Sequence, residues 1–168
     1  MNDGEQLLPP SVDAKTPRLG IRKVSASNMA STRSVMRVRG HELVTDEPAS
    51  DTGPTPLETT LASLLGCEGV IINRCAEAMR FRYSKLEMDA EGEVDQRGSR
   101  GVSGVRPYFN WVRLSIRISS DESTERLQKL RRNVEHRCPG MNLFRAADVP
   151  VEASWELLPE SPVAGSDR

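Results

Sequence analysis

Two cysteines are the residues of this chain best placed to do chemistry. Cys67 closes the helical run Leu57-Glu58-Thr59-Thr60-Leu61-Ala62-Ser63-Leu64-Leu65-Gly66, and Cys138 stands in Arg137-Cys138-Pro139, at the mouth of an expected helix. A thiol reacts as its thiolate, so nearby helix ends and cations set its reactivity. Pro139 suits a first helical position, which makes Cys138 the residue just before a helix N-terminus, where free N–H groups and the positive dipole end favour a thiolate. Cys67 lies inside a helix and needs a cation from elsewhere; Arg33, Arg37 and Arg39 are the candidate donors. Glu68 is a neighbour of the wrong sign, directed about 100° away around the helix. The pair points to thiol redox chemistry more than to metal binding or a structural crosslink. Cys75, one of several apolar positions on the same helix, reads as a core residue, as free cysteines usually are.

The rival chemistries are weaker. Zinc held by Cys67 and Cys75 fails on geometry, because eight helical residues span about 12 Å and zinc–sulfur bonds are about 2.3 Å. His41 and His136 are the only histidines. A Cys–His hydrolase pair lacks an evident third orienting group, and His136 is explained by a favourable position near a helix C-terminus. Tyr108, Phe109 and Trp111 could wall an apolar pocket or serve as core or dimer contacts. The basic residues Arg126, Lys129, Arg131 and Arg132 alternate with Glu125 and Glu135, which marks a solvated helix face. The stretch Arg97-Gly98-Ser99-Arg100-Gly101 lacks the strand-to-helix setting of a phosphate loop.

Composition narrows the class. A chain of 168 residues fits one ordinary domain, and 37% hydrophobic with 4% aromatic residues makes a lean core that a partner subunit could extend. Lys plus Arg (23) nearly balances Asp plus Glu (24), which leaves no field to attract nucleic acid. No apolar run has the length of a membrane span, and the N-terminus lacks a secretory layout. A reducing cytoplasm is the expected location, where a disulfide would be transient and functional. Three cysteines also argue against a secreted disulfide framework.

The elements that must position the thiols can be read in order. Residues 1–32 and 159–168 are polar and lack periodicity, and are expected to be mobile tails around a domain over 33–158. Ser34 to Thr45 suggests two short strands turning near Gly40, followed by a loop from Asp46 to Pro54. Thr55-Pro56-Leu57-Glu58 combines a cap, a first-position proline and an acid three residues after the cap. The helix it starts should end near Arg80, and apolar residues around much of its circumference predict burial on several sides. Leu86, Met88, Ala90 and Val94 alternate with acids, and Val112, Leu114, Ile116 and Ile118 alternate with Arg113, Ser115 and Arg117. Two half-buried strands follow, able to pair their outward charges. The segment from Asp95 to Pro107 reads as flexible. A helix over Thr124–Arg137, a short one opened by Pro139, and a strand from Val149 to Leu157 complete an α+β order with mostly antiparallel pairing.

Several segments together resemble one family. Arg39-Gly40-His41, Asp46-Glu47-Pro48, Gly53-Pro54-Thr55-Pro56-Leu57-Glu58 through Leu64-Leu65-Gly66-Cys67, and His136-Arg137-Cys138-Pro139 with Asn142-Leu143 resemble the OsmC/Ohr superfamily. The joint occurrence of a proline-led helix ending in Gly-Cys and a distant Cys-Pro carries the likeness. The resemblance implies an OsmC-like α+β fold, with mostly antiparallel sheets around a central cysteine-bearing helix, in an intertwined homodimer. It also implies a thiol-dependent peroxidase that reduces organic hydroperoxides, with hydrogen peroxide as a further substrate of some members. By position, Cys67 matches the peroxidatic cysteine and Cys138 the resolving one. Arg33 or Arg39 matches the activating arginine, and Glu58 the glutamate ahead of the cysteine helix, although a capping role already explains Glu58. No cofactor or metal is implied beyond an external dithiol reductant. The alternative is a dimeric binding or structural relative that keeps the fold without the catalysis.

Overall fold

The computed structural model describes residues 16–160, which form two compact units, one ending at Ala62 and one beginning at Ser63. In the first unit, strands β1 (Ser25–Asn28), β2 (Ser34–Val38) and β3 (His41–Thr45) make an antiparallel sheet in that order. The expected hairpin is present: Val38 faces His41 across the two-residue turn Arg39-Gly40. Arg39 supplies the left-handed conformation (φ 56°) that such a tight turn demands. Strand β1 falls within the stretch read as a mobile tail. Its four residues, Ser-Ala-Ser-Asn, are all exposed and are held by main-chain pairing to β2, so no apolar alternation announces it. The ends of the expected mobile tails, residues 1–15 and 161–168, lie outside the described residues.

Asp46 organises the loop after β3. Its buried carboxylate accepts from the Thr52 hydroxyl (2.6 Å), the Thr32 hydroxyl (2.7 Å) and the Glu47 N–H (2.9 Å), and these bonds hold it below the usual carboxylate range. The chain then enters helix α1 (Pro56–Met79) through the predicted capping box. The Thr55 hydroxyl accepts from the Glu58 N–H (3.2 Å), and the Glu58 carboxylate accepts from the Thr55 N–H (2.7 Å).

The end of α1 is a Schellman motif. The Phe81 N–H reaches the Ala76 carbonyl (2.8 Å), the Arg80 N–H reaches that of Glu77 (3.1 Å), and Arg80 takes a φ of 51°. The Arg126 guanidinium meets the remaining demand, donating to the carbonyls of Met79 (3.1 Å) and Arg80 (3.0 Å). A left-handed arginine is costly where glycine is not. Arg80→Gly is therefore expected to stabilise the protein by about 0.5–1 kcal/mol, seen as a higher urea midpoint at unchanged slope. An unchanged or lower midpoint would mean that the Arg80 side chain contributes more than its backbone costs.

The second unit holds the core. Strands β4 (Lys85–Glu93), β5 (Trp111–Ser119) and β6 (Val151–Leu158) form one sheet in that order, β4 antiparallel and β6 parallel to β5. Helix α2 (Gln96–Ser99) is a single turn in the segment read as flexible, capped by the Asp95 carboxylate on the Arg97 N–H (3.0 Å). Helices α3 (Thr124–Arg137) and α4 (Pro139–Ala146) supply the crossover that a parallel β5–β6 pair requires. Every second residue of β5 from Val112 to Ile118 is buried, as its alternation predicts. The outward charges pair as anticipated, Arg117 with Asp89 (2.7 Å) and Arg113 with Glu91 (3.6 Å), at exposed positions where solvent screens the attraction and such pairs add little.

From Ser63 on, α1 differs from its expected all-round burial. The buried positions are Leu64, Glu68, Ile72, Cys75 and Ala76, a single stripe at helical spacing, while Val70 is half exposed. Ile72, Cys75 and Ala76 join Ile116 and Ile118 of β5 and Leu127, Leu130 and Val134 of α3 in one cluster. Cys75 is thus a core residue, as read. Burial holds its thiol above the usual range, against the opposing pull of Arg137, whose guanidinium lies 3.9 Å from the sulfur. Among the described residues no helix is long and apolar enough to cross a membrane.

Candidate functional site

The junction between α3 and α4 creates the second thiol's position. Cys138 ends α3, its N–H still bonded to the Val134 carbonyl (2.8 Å), and it is also the N-cap of α4 with Pro139 next in line. Its sulfur accepts from the Met141 N–H (3.5 Å), which is the helix-start setting foreseen from Cys-Pro. The expected consequence, a favoured thiolate, does not follow. Cys138 is completely buried, and burial pushes its thiol far above the usual range; the adjacent Glu68 carboxyl and the Cys67 thiol push the same way. The Met141 N–H opposes them and loses. Desolvation and a neighbouring anion outweigh one helix end.

Cys67 comes to the same place from α1. Its thiol is free and half-buried, and lies close enough to Cys138 to interact with it directly. The first turn of α4 lies against it. A Cβ added at Gly140 would sit 3.3 Å from Cys67 Cβ, 3.6 Å from Cys67 Sγ and 3.0 Å from a Leu64 methyl. Glycine is what lets α4 approach α1 so closely. Gly140→Ala is accordingly expected to cost about 1–2 kcal/mol by overpacking. It should also slow formation of a Cys67–Cys138 disulfide, which mass spectrometry of diamide-treated protein would report. Wild-type stability and closure would show that α4 yields freely.

Glu68 is what the sequence reading missed. It does project away from Cys67, but that direction is inward: it is fully buried and set against the Cys138 thiol. Neither carboxyl oxygen completes a hydrogen bond, so the thiol interacts with it without forming a well-aligned bond. Burial raises the carboxyl above its ordinary range; Cys138 and Arg145 pull it down, and Glu135 pushes it up. The signal was present in the spacing, since Leu64, Glu68 and Ile72 fall four residues apart on one face. A charged residue within an apolar stripe is the sequence signal of such a buried carboxyl.

The other candidates lie in the first unit, on the surface or, for Phe109, in the core. Arg33 is exposed beside the Asp46 carboxylate, whose charge it lowers in cost. Arg37 pairs with Glu42 (3.2 Å), Arg39 forms the hairpin turn, and Glu58 caps α1. His136 is exposed, and its carbonyl accepts from the Asn142 amide (3.1 Å). Of the three aromatic residues, Phe109 is core, packed edge-on against Phe144 at 5.6 Å. Tyr108 and Trp111 lie under the guanidinium groups of Arg106 and Arg113.

Residues 49–154 match the family described as OsmC-like protein. Among solved structures, the chain is similar to the OsmC-like protein of Mycoplasma pneumoniae, with a TM-score of 0.74, 19% identity, and coverage of 83% of this chain and 98% of that one. It is similar to the organic hydroperoxide resistance protein OhrB of Bacillus subtilis, with a TM-score of 0.57, 19% identity, and coverage of 83% and 99%. The organic hydroperoxide resistance protein OsmC of Legionella pneumophila aligns with a TM-score of 0.61 at 15% identity, covering 84% and 99%. At these identities the likeness is one of fold. No curated protein matches the chain.

Proposed function

This chain belongs to the OsmC-like protein family, and from that premise we propose that it is a thiol-dependent peroxidase acting on organic hydroperoxides. The observation that carries the reading is the pair of free thiols, Cys67 and Cys138, lying against one another where α4 starts beside α1. The half-buried Cys67 is the sulfur a peroxide can reach; Cys138 is wholly enclosed. That difference supports Cys67 as the peroxidatic cysteine and Cys138 as the resolving one in this reading.

In this reaction the Cys67 thiolate attacks one peroxide oxygen, the O–O bond breaks, and the alkoxide leaves as alcohol after taking a proton. A sulfenic acid remains on Cys67. Cys138 then displaces the hydroxyl, giving a disulfide and water, and an external dithiol restores both thiols by exchange. An arginine beside Cys67 would favour the thiolate and the charge developing on the peroxide. Arg33 or Arg39 takes that role in the proposal, with Glu58 in at most an indirect one. No cofactor or metal enters the cycle. The working form proposed is a homodimer, consistent with the exposed apolar side chains Leu57 and Val70 on α1.

A second reading has one observation in its favour. With the Cys138 thiol held protonated by burial and by Glu68, resolution is not eased in the reduced protein, as fits a dimeric OsmC-like binding or structural protein. Treatment with one equivalent of cumene hydroperoxide separates the two. The peroxidase loses two hydrogens per chain, mapped to Cys67–Cys138, and consumes hydroperoxide continuously with a dithiol. A chain that stays reduced under those conditions is not a peroxidase.

A further inference from the structure

Glu68 poses a problem that its fold does not explain. A buried carboxyl ordinarily has hydrogen-bond partners, and one without them costs stability that an apolar residue of the same size would not. Here both oxygens lack a completed bond, the side chain is fully enclosed, and the polar group set against it is the Cys138 thiol. Cys138 in turn abuts Cys67. Within one unit, the Cys138 thiol therefore neighbours both the buried Glu68 carboxyl and the half-buried Cys67 thiol.

We propose that Glu68 is the acid–base residue of disulfide closure, taking the Cys138 thiol proton as that sulfur attacks Cys67 and passing it to the departing hydroxide. The inference rests on the peroxidase reading, since it concerns the second step of that cycle. The balance is complete within the protein. The S–O bond of the Cys67 sulfenic acid breaks as the Cys67–Cys138 bond forms. The Cys67 sulfur gains the electron density that the Cys138 sulfur gives up. The proton lost by Cys138 leaves in water, and Glu68 ends as it began.

The surroundings suit the task. Cys138 is too enclosed for solvent to remove its proton, so a base must already be present. Burial raises the Glu68 carboxyl above its ordinary value, which makes its carboxylate a stronger base than an exposed one. The charged and titratable groups facing it are few. Cys138 lies at the α3–α4 junction, Glu135 on α3, Arg145 on α4 and Cys75 on its own helix. Glu135 is itself paired with Arg131 (2.7 Å) and Arg145 (3.6 Å). The imperfect thiol–carboxyl alignment is what a resting site often shows before the reacting atoms tighten.

The test follows closure without needing peroxide. The full reduced chain is mixed with Ellman's reagent: the first thionitrobenzoate released reports Cys67 attack, and the second reports Cys138 closing on the mixed disulfide. Peptide mass spectrometry confirms the Cys67–Cys138 product. In Glu68→Gln the first phase should stay within threefold of wild type, while the second slows by roughly a hundredfold or more, the scale of general acid–base help. The wild-type second phase should show a carboxyl-dependent limb in its pH profile that is absent in Glu68→Gln and in Glu68→Met, which also covers the case where one variant folds poorly. A merely structural glutamate would shift both phases and leave the pH profile unchanged. A second phase within threefold of wild type in both variants overturns the proposal, as does a wild-type protein in which Cys67 gives no first phase. Cumene hydroperoxide is run in parallel. Failure of peroxide to oxidise a wild-type protein whose second phase still depends on Glu68 removes the peroxidase reading and leaves the role of Glu68 in closure standing.

Discussion

Cys67→Ser is expected to reduce dithiol-dependent hydroperoxide consumption by roughly a thousandfold or more, the scale on which removal of a covalent nucleophile acts. A serine hydroxyl at this position is not ionised at neutral pH and cannot be oxidised to a sulfenic acid. Cys138→Ser should behave differently. Serine is a preferred N-cap, so the start of α4 keeps its capping acceptor for the Met141 N–H and the fold is preserved. Oxidation of Cys67 then proceeds without resolution, and dimedone should capture a sulfenic acid there in nearly stoichiometric amount. Capture on Cys75 instead, or turnover undiminished in Cys67→Ser, would place the chemistry on a different sulfur. The buried Cys75, packed among Ile72, Leu130 and Val134, is the internal control, since a thiol with no route to solvent should stay unlabelled.

Stability should depend on pH through Glu68, and Glu68→Met should remove that dependence. The folded protein raises the Glu68 carboxyl above its ordinary value of 4.5. The folded state therefore holds its proton more tightly than the unfolded chain does. Stability from this group is fully present below about pH 4.5 and is lost as pH rises through the elevated folded value. Cys138, raised in the same way, adds a further loss only in the alkaline range. Methionine has nearly the volume of glutamate and no group to desolvate. At pH 8, Glu68→Met should gain about 2 kcal/mol or more, because the buried carboxyl has no completed hydrogen bond to lose. Urea midpoints measured from pH 4 to 8 should converge at the acidic end and separate at the alkaline end. Parallel curves, or a destabilised variant at pH 8, would mean that Glu68 has a stabilising partner. A gain in stability together with slower closure would show that the wild-type chain carries Glu68 for its chemistry.

Much of the local structure was legible because short-range signals carried it. The Thr55–Glu58 capping box, the hairpin at Arg39-Gly40, the Cys138-Pro139 cap and the alternation in β4 and β5 all appear where their spacing put them. Each depends on residues within a few positions of one another, so sequence order is nearly spatial order. The same holds for the core role of Cys75, which follows from its place among apolar neighbours. Strand β1 was not legible, because main-chain pairing holds it and main-chain pairing leaves no pattern in side chains.

The sequence by itself determined that two cysteines would sit at particular points of two helices, one inside α1 and one before α4. Only the tertiary structure decided that the two sulfurs meet, that α1 buries one stripe instead of its whole surface, and that Glu68 points into that stripe against Cys138. It also reversed the expected acidity of Cys138. A helix end is a local property, written in Cys-Pro, whereas desolvation and a neighbouring carboxyl depend on which faces pack together. Ionisation follows the sum of those fields, and the larger ones here come from residues far away along the chain.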